Sequence, residues 1–294
     1  MRIVVCTDFS EESLQVFAPA ASLARQFGAD LLVVHQAASP TLVVSDLAGP
    51  LPGPTLGGQE AHREQLQDLV SSQACFDGLS VETGIVAPGG LDLFNHFLTD
   101  RHVDLVILAT HGRTGIKRFL LGSFAERVLS AAPCSVLVYR SPKGRHKSED
   151  FLPRKILVPH DLLPTSSVSL AAACSWARRF EASLRLLFVI EHDPGVLGCF
   201  ADVVHGSMEE RQRIRKEATA RLQTLVNESC QGIEARLDVV VGKPVQKIVE
   251  QAGKYGAHLI VMAPHAKSKL DHFVLGSVAE GTARYAACSV LLVR

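Results

Sequence analysis

No run of apolar residues in this chain approaches the ~20 needed to cross a bilayer as a helix. Net charge is absent as well, since 30 Lys and Arg balance 30 Asp and Glu. That balance argues against a nucleic-acid partner, which calls for a strongly basic face. The seven cysteines form an odd set without a Cys-x-x-Cys pair, which removes the usual thiol signatures of metal knuckles and redox helices. They sit mostly in apolar runs and read as buried, reduced thiols of a cytoplasmic protein, without a disulfide or catalytic role. The segment Met1–Asp8 reaches an acidic residue too early to supply a signal-peptide apolar core. Also missing are a Gly-x4-Gly-Lys-Ser/Thr phosphate loop, an acidic pair for two metals and a strained nucleophile turn. At most, slow hydrolysis of a bound nucleotide is expected.

What the sequence does have is a long internal repeat. With 294 residues, 47 % hydrophobic and 20 % charged, it can bury two cores. Ile3, Val5, Asp8, Ser13, Ala18, Arg25 and Phe27 recur as Ile156, Val158, Asp161, Ser166, Ala171, Arg178 and Phe180. One inserted residue later, His111, Phe119, Leu121, Gly122, Ser123 and Glu126 recur as His265, Phe273, Leu275, Gly276, Ser277 and Glu280. Such a period exceeds any solenoid repeat, so each copy is a whole domain. The expected domains are 1–141 and 153–294, joined by a polar linker over 142–152.

In the first copy, Ile3–Cys6, Leu31–His35, Val81–Val86, Leu105–Ala109 and Ser135–Tyr139 read as strands. They are rich in Val, Ile and Leu without strict alternation, as strands of a parallel sheet buried on both faces should be. Helical spacing fills Glu11–Phe27, Glu60–Ala74, Leu91–His102 and Gly122–Ala131. The Pro/Gly-rich stretch Ser39–Gly58 reads as a loop. The fold class is therefore α/β: two tandem Rossmann-like domains, each a five-stranded, mostly parallel sheet with helices on both faces.

Ligands of such sheets bind beyond the carboxyl ends of the strands, where the strand order reverses. The loop after the fourth strand, Ala109–Ser123, runs into a helix through Gly122, Ser123 and Phe124. A helix N-terminus offers free N–H groups and a favourable dipole to phosphate oxygens. Gly112 permits close backbone approach, and Arg113, Lys117 and Arg118 can add positive charge. His35 sits in an apolar strand and reads as a hydrogen-bonded core histidine.

This loop resembles the nucleotide-binding signature of the universal stress protein family, Gly-x2-Gly-x9-Gly-Ser/Thr, with Ala109 at the first glycine position, then Gly112, Gly122 and Ser123. The resemblance covers both halves and implies the fold often called HUP-type. Thr7-Asp8-Phe9-Ser10 matches the family's first-strand signature. It implies that Thr7, Asp8 and Gln36 hold an adenosine, that Leu108, Ala109, His111, Gly112 and Arg113 line the pocket, and that Gly122, Ser123 and Phe124 receive the phosphates of ATP or a related adenine nucleotide. A nucleotide-responsive regulatory role in stress follows. The resemblance also implies that the last strands, Ser135–Tyr139 and Ser289–Val293, pair the two domains as an internal pseudo-dimer, with a homodimer of the whole chain as the alternative.

The second copy departs from this pattern. Ala263 and Ala266 replace the leading glycines, and Asp271 replaces Lys117, so ATP binding there is expected to be weak or absent. Strand ends instead gather His160, Asp161, His192 and His265, residue types that ligate zinc. The alternative function is therefore a weak ATPase or a metal-dependent hydrolase using these histidines.

Overall fold

The computed structural model describes residues 1–36, 56–86, 90–109, 122–141, 150–191, 208–264 and 275–294. The polypeptide divides into two compact units, Met1–Tyr139 and Leu152–Arg294, with short pieces of the intervening segment belonging to each.

The first unit holds strands β1 (Arg2–Thr7), β2 (Asp30–Gln36), β3 (Val81–Val86), β4 (Leu105–Ala109) and β5 (Ser135–Tyr139). Their spatial order is β3-β2-β1-β4-β5, and every pairing is parallel. Consecutive residues Ile3, Val4 and Val5 of the central strand are each 0 % exposed. Successive side chains point to opposite faces, so both faces of the sheet are covered by helices. This is the doubly wound order, whose reversal point lies between β1 and β4.

Two helices start differently from the sequence reading. The expected helix Glu11–Phe27 is two, Glu11–Leu14 and Phe17–Phe27. Pro19 explains the break: it has no N–H to offer the Gln15 carbonyl and its ring would strike that carbonyl, so it is tolerated only in a first turn. In the second unit Ala172 occupies the corresponding position, and the helix Ser167–Phe180 runs unbroken for 14 residues. The next helix of the first unit begins at Leu56 rather than Glu60, so Leu56–Gly58 belongs to a helix and not to the loop.

The second unit repeats the first, with β6 (Lys155–Pro159), β7 (Ser183–Glu191), β8 (Ala235–Gly242), β9 (Leu259–Met262) and β10 (Ser289–Leu292). Their order within the unit is β10-β9-β6-β7-β8, again all parallel. Among the described residues, no helix is long and apolar enough to cross a membrane.

Candidate functional site

The hydrogen-bond ladders mark where each sheet opens. Strand β1 pairs with β2 over six residues, Arg2 to Thr7, but with β4 only over Ile3, Val4 and Val5. Strand β4 nevertheless continues to Ala109, paired with β5. The two central strands thus part company before Thr7 and Ala109, at their carboxyl ends. The second unit does likewise: β6 pairs with β7 over five residues and with β9 over two.

The lip of the first opening is a locked turn. Thr7 is buried; its Oγ1 accepts the Phe9 N–H at 3.1 Å and lies 2.9 Å from Ser13 Oγ. The Ser13 hydroxyl donates to the Ser10 carbonyl at 2.9 Å, so the Thr7 hydroxyl is the donor to Ser13. Asp8 Oδ1 accepts the Ser10 N–H at 3.0 Å and the Ser10 hydroxyl. Ser10 Oγ in turn accepts the Ser13 N–H at 3.2 Å, capping the short helix Glu11–Leu14. Phe9 pays for this arrangement with φ of 63°, a left-handed conformation uncommon for a bulky side chain. The whole network points the Asp8 carboxyl group by fixing the backbone on both sides of it.

Strand β2 fastens to the same turn. His35 is buried and its Nδ1–H donates to the Thr7 carbonyl at 2.9 Å, which makes it the hydrogen-bonded core histidine expected. Its ring lies 4.3 Å from Phe9 and 5.2 Å from His62. Sequence reading did not single out His62 or Phe9. His62 sits on the helix Leu56–Ser71 with no motif around it, and a phenylalanine gives no hint of positive φ. Gln36 ends β2 beside Val86.

At the carboxyl end of β4, Leu108 is buried and Ala109 half-buried. His111, Gly112 and Arg113 lie outside the described residues, as do Lys117 and Arg118. The chain returns at Gly122, the N-cap of the helix Ser123–Ala131, with φ −64° and ψ 147° and no side-chain cap. Any residue can adopt those angles, so the glycine is not required by backbone strain; what it provides is the absence of a Cβ beside uncapped N–H groups. Asn95 Nδ2 donates to the Ala131 carbonyl at 2.9 Å, and Phe94 meets Phe124 edge-on at 5.4 Å. These contacts hold the helix in place. Ser123 is exposed on its first turn.

The second unit keeps the turn and changes its chemistry. Leu162 takes the place of Phe9 with φ also 63°. Asp161 Oδ1 accepts the Leu163 N–H at 3.0 Å and the Ser166 hydroxyl at 2.7 Å. His160 stands where Thr7 does, buried, and its Nδ1 accepts the Leu162 N–H at 3.0 Å. That bond uses the Nδ1 lone pair and leaves the proton of the neutral ring on Nε2, so His160 as placed offers zinc no lone pair. His192 and His265 lie outside the described residues. Among the described residues, no three His, Cys, Asp or Glu side chains gather as a metal site would require. Gly276 again caps a helix, Ser277–Tyr285, without a side-chain bond.

The family model for the universal stress protein family matches residues 1–140 and 153–294. The chain belongs to the universal stress protein family. Universal stress protein MJ0531 of Methanocaldococcus jannaschii is 32 % identical over 146 residues, covering 48 % of this chain and 83 % of that relative. The crystal structure of a universal stress protein from Archaeoglobus fulgidus covers 100 % of this chain and 98 % of its own, at 17 % identity and a TM-score of 0.67, and so shares the tandem fold. Another universal stress protein, solved in complex with cAMP, covers 49 % of this chain at 21 % identity and a TM-score of 0.35.

Proposed function

We propose that the first domain of this universal stress protein binds ATP or a related adenine nucleotide, and that the protein acts as a nucleotide-responsive regulator. The observation that carries this reading is the early parting of β1 from β4, with the fixed Asp8 on one side and an uncapped, glycine-led helix following β4 on the other. In this reading Thr7, Asp8 and Gln36 hold the adenosine. Leu108, Ala109, His111, Gly112 and Arg113 line the pocket, and N–H groups at Gly122, Ser123 and Phe124 take the phosphates. The second domain binds ATP far more weakly, because Ala266 brings a methyl group where Gly112 permits close approach and Asp271 reverses the charge of Lys117. The cytoplasm is the expected location. Pairing of the two domains through Ser135–Tyr139 and Ser289–Val293 belongs to the same proposal and rests on the apolar sequence of those segments; an experimental structure with the strands apart would refute it.

The test uses the full chain in calorimetric titration with ATP. Wild type should bind one nucleotide per chain with high affinity. Gly122→Val fits the local φ and ψ, so it should leave the fold intact while its branched side chain blocks the phosphates and weakens binding at least about tenfold, or about 1.4 kcal/mol. Gly276→Val should leave affinity unchanged. Equal affinity of wild type and Gly122→Val would defeat the assignment.

A further inference from the structure

The second unit contains a buried pair of thiols that the sequence spacing conceals. Cys174 and Cys230 are 56 positions apart, yet their sulfurs lie 3.6 Å from each other. Both side chains are buried. Cys174 sits in the helix Ser167–Phe180, and Cys230 directly follows the helix Met208–Ser229. One helical turn beyond Cys174, Arg178 Nη2 reaches across to the carbonyls of Ser229 at 3.2 Å and Gln231 at 3.4 Å. The guanidinium therefore pins the chain on both sides of Cys230.

The first unit contains the same clamp with different contents. Arg25 Nη2 donates to the carbonyls of Cys75 at 2.7 Å and Asp77 at 3.0 Å. The residue between those carbonyls is Phe76, and the residue four before Arg25 is Ala21, both buried. One repeat fills the junction with hydrocarbon and the other with two thiols, so the clamp itself does not need sulfur. Cys230 leads into the amino end of β8, whereas the opening between β6 and β9 lies at the carboxyl ends. The thiol pair is thus separate from the nucleotide crevice.

We propose that Cys174 and Cys230 are a redox-active dithiol that a peroxide closes to a disulfide. A disulfide needs its sulfurs about 2.05 Å apart, so the pair must close by roughly 1.6 Å, within the reach of side-chain rotation. The two thiols are unequal. The two sulfurs lie within hydrogen-bond reach of each other; that bond lowers the Cys174 pKa against the opposing effect of burial, and the Arg178 charge assists. The same bond and burial raise that of Cys230. Cys174 is therefore the nucleophile. Its sulfur attacks the O–O bond of hydrogen peroxide and becomes a sulfenic acid as one water is released. The Cys230 sulfur then displaces the sulfenic hydroxyl as a second water. Two S–H bonds are lost, one S–S bond forms, and two electrons reduce the peroxide. The bond ties the end of the helix Met208–Ser229 to the helix Ser167–Phe180 and closes a long loop, which stabilises the oxidised unit.

The test treats the reduced full chain with hydrogen peroxide, alkylates it under denaturing conditions and maps the peptides by mass. The expected product is a Cys174–Cys230 linked peptide about 2 Da lighter than the two reduced peptides together, restored by dithiothreitol and accompanied by a thermal midpoint several degrees higher. Cys174→Ala, which copies the first repeat's Ala21, should abolish the link and leave ATP affinity as in wild type. Cys230→Ala should halt oxidation at Cys174, where a 1,3-dione traps the sulfenic acid. Full alkylation of both thiols after peroxide, or a link from either to a different cysteine, would overturn the proposal in the wild-type protein alone.

Discussion

Replacing Asp8 by Asn separates its structural work from its proposed contact with the nucleoside. In the folded protein Asp8 Oδ1 accepts both the N–H and the hydroxyl of Ser10. An asparagine carbonyl oxygen can occupy that position and accept both donors, so the turn survives and stability should change by less than about 1 kcal/mol. What disappears is the negative charge next to the end of β1. A hydrogen bond to a charged group contributes about 1.5–3 kcal/mol. At about 1.4 kcal/mol per decade, Asp8→Asn should weaken ATP binding about 10- to 150-fold. Titration calorimetry measures the affinity, and a thermal melt of the same sample confirms the fold. Asp161→Asn, at the matching turn of the second domain, should leave ATP affinity untouched. An Asp8→Asn protein that melts and binds like wild type would show that the carboxylate serves the turn alone, and the nucleoside assignment would fall.

Ser13→Ala should destabilise the first domain by about 1–3 kcal/mol, because it leaves the buried Thr7 hydroxyl without its acceptor at 2.9 Å. Scanning calorimetry should show a midpoint lower by several degrees, and an unchanged midpoint would contradict the network. Glu250 sits between Lys247 at 2.8 Å and Lys254 at 2.6 Å, and hydrogen bonds from these two lower its pKa from 4.5 to about 2. Its folded-state value is depressed, so its stabilisation is present above the ordinary carboxylate range and is lost as pH falls through about 2. The difference in stability between wild type and Glu250→Gln should therefore shrink from pH 4.5 downward, and with added salt, since the group is partly exposed to solvent; a difference independent of pH would disprove the linkage.

The sheet was readable from sequence because its physics is blunt. Runs such as Ile3–Val5 and Leu105–Leu108 must be covered on both faces, and only a parallel α/β sheet provides that cover. The repeat supplied the second domain at no further cost. The Gly-Ser step before an apolar helix likewise betrayed the uncapped N-terminus at Gly122. Other features depend on contacts that one-dimensional spacing does not carry. Pro19 lies where a proline is harmless to the helix it begins, so the break before it is hidden within a continuous helical pattern. Gly57 and Gly58 look like loop residues although they stand inside a helix. The tautomer of His160 is set by the Leu162 N–H, and the Cys174–Cys230 contact by the meeting of two distant helices.

The left-handed residue after the aspartate, Phe9 in one domain and Leu162 in the other, separates ancestry from use. In both copies a carboxylate oxygen accepts the backbone N–H two residues on, whatever surrounds it. If the second domain holds no ATP, as proposed above, its loop is free to drift, and Ala266 and Asp271 are changes of the kind such drift would leave. The aspartate is not free in the same way, because losing it would unfasten a turn at the centre of the sheet. On that reading an aspartate at this strand end would outlive its ligand, and a domain without a nucleotide would go on resembling one that binds it at the very residue most readily taken as proof of binding.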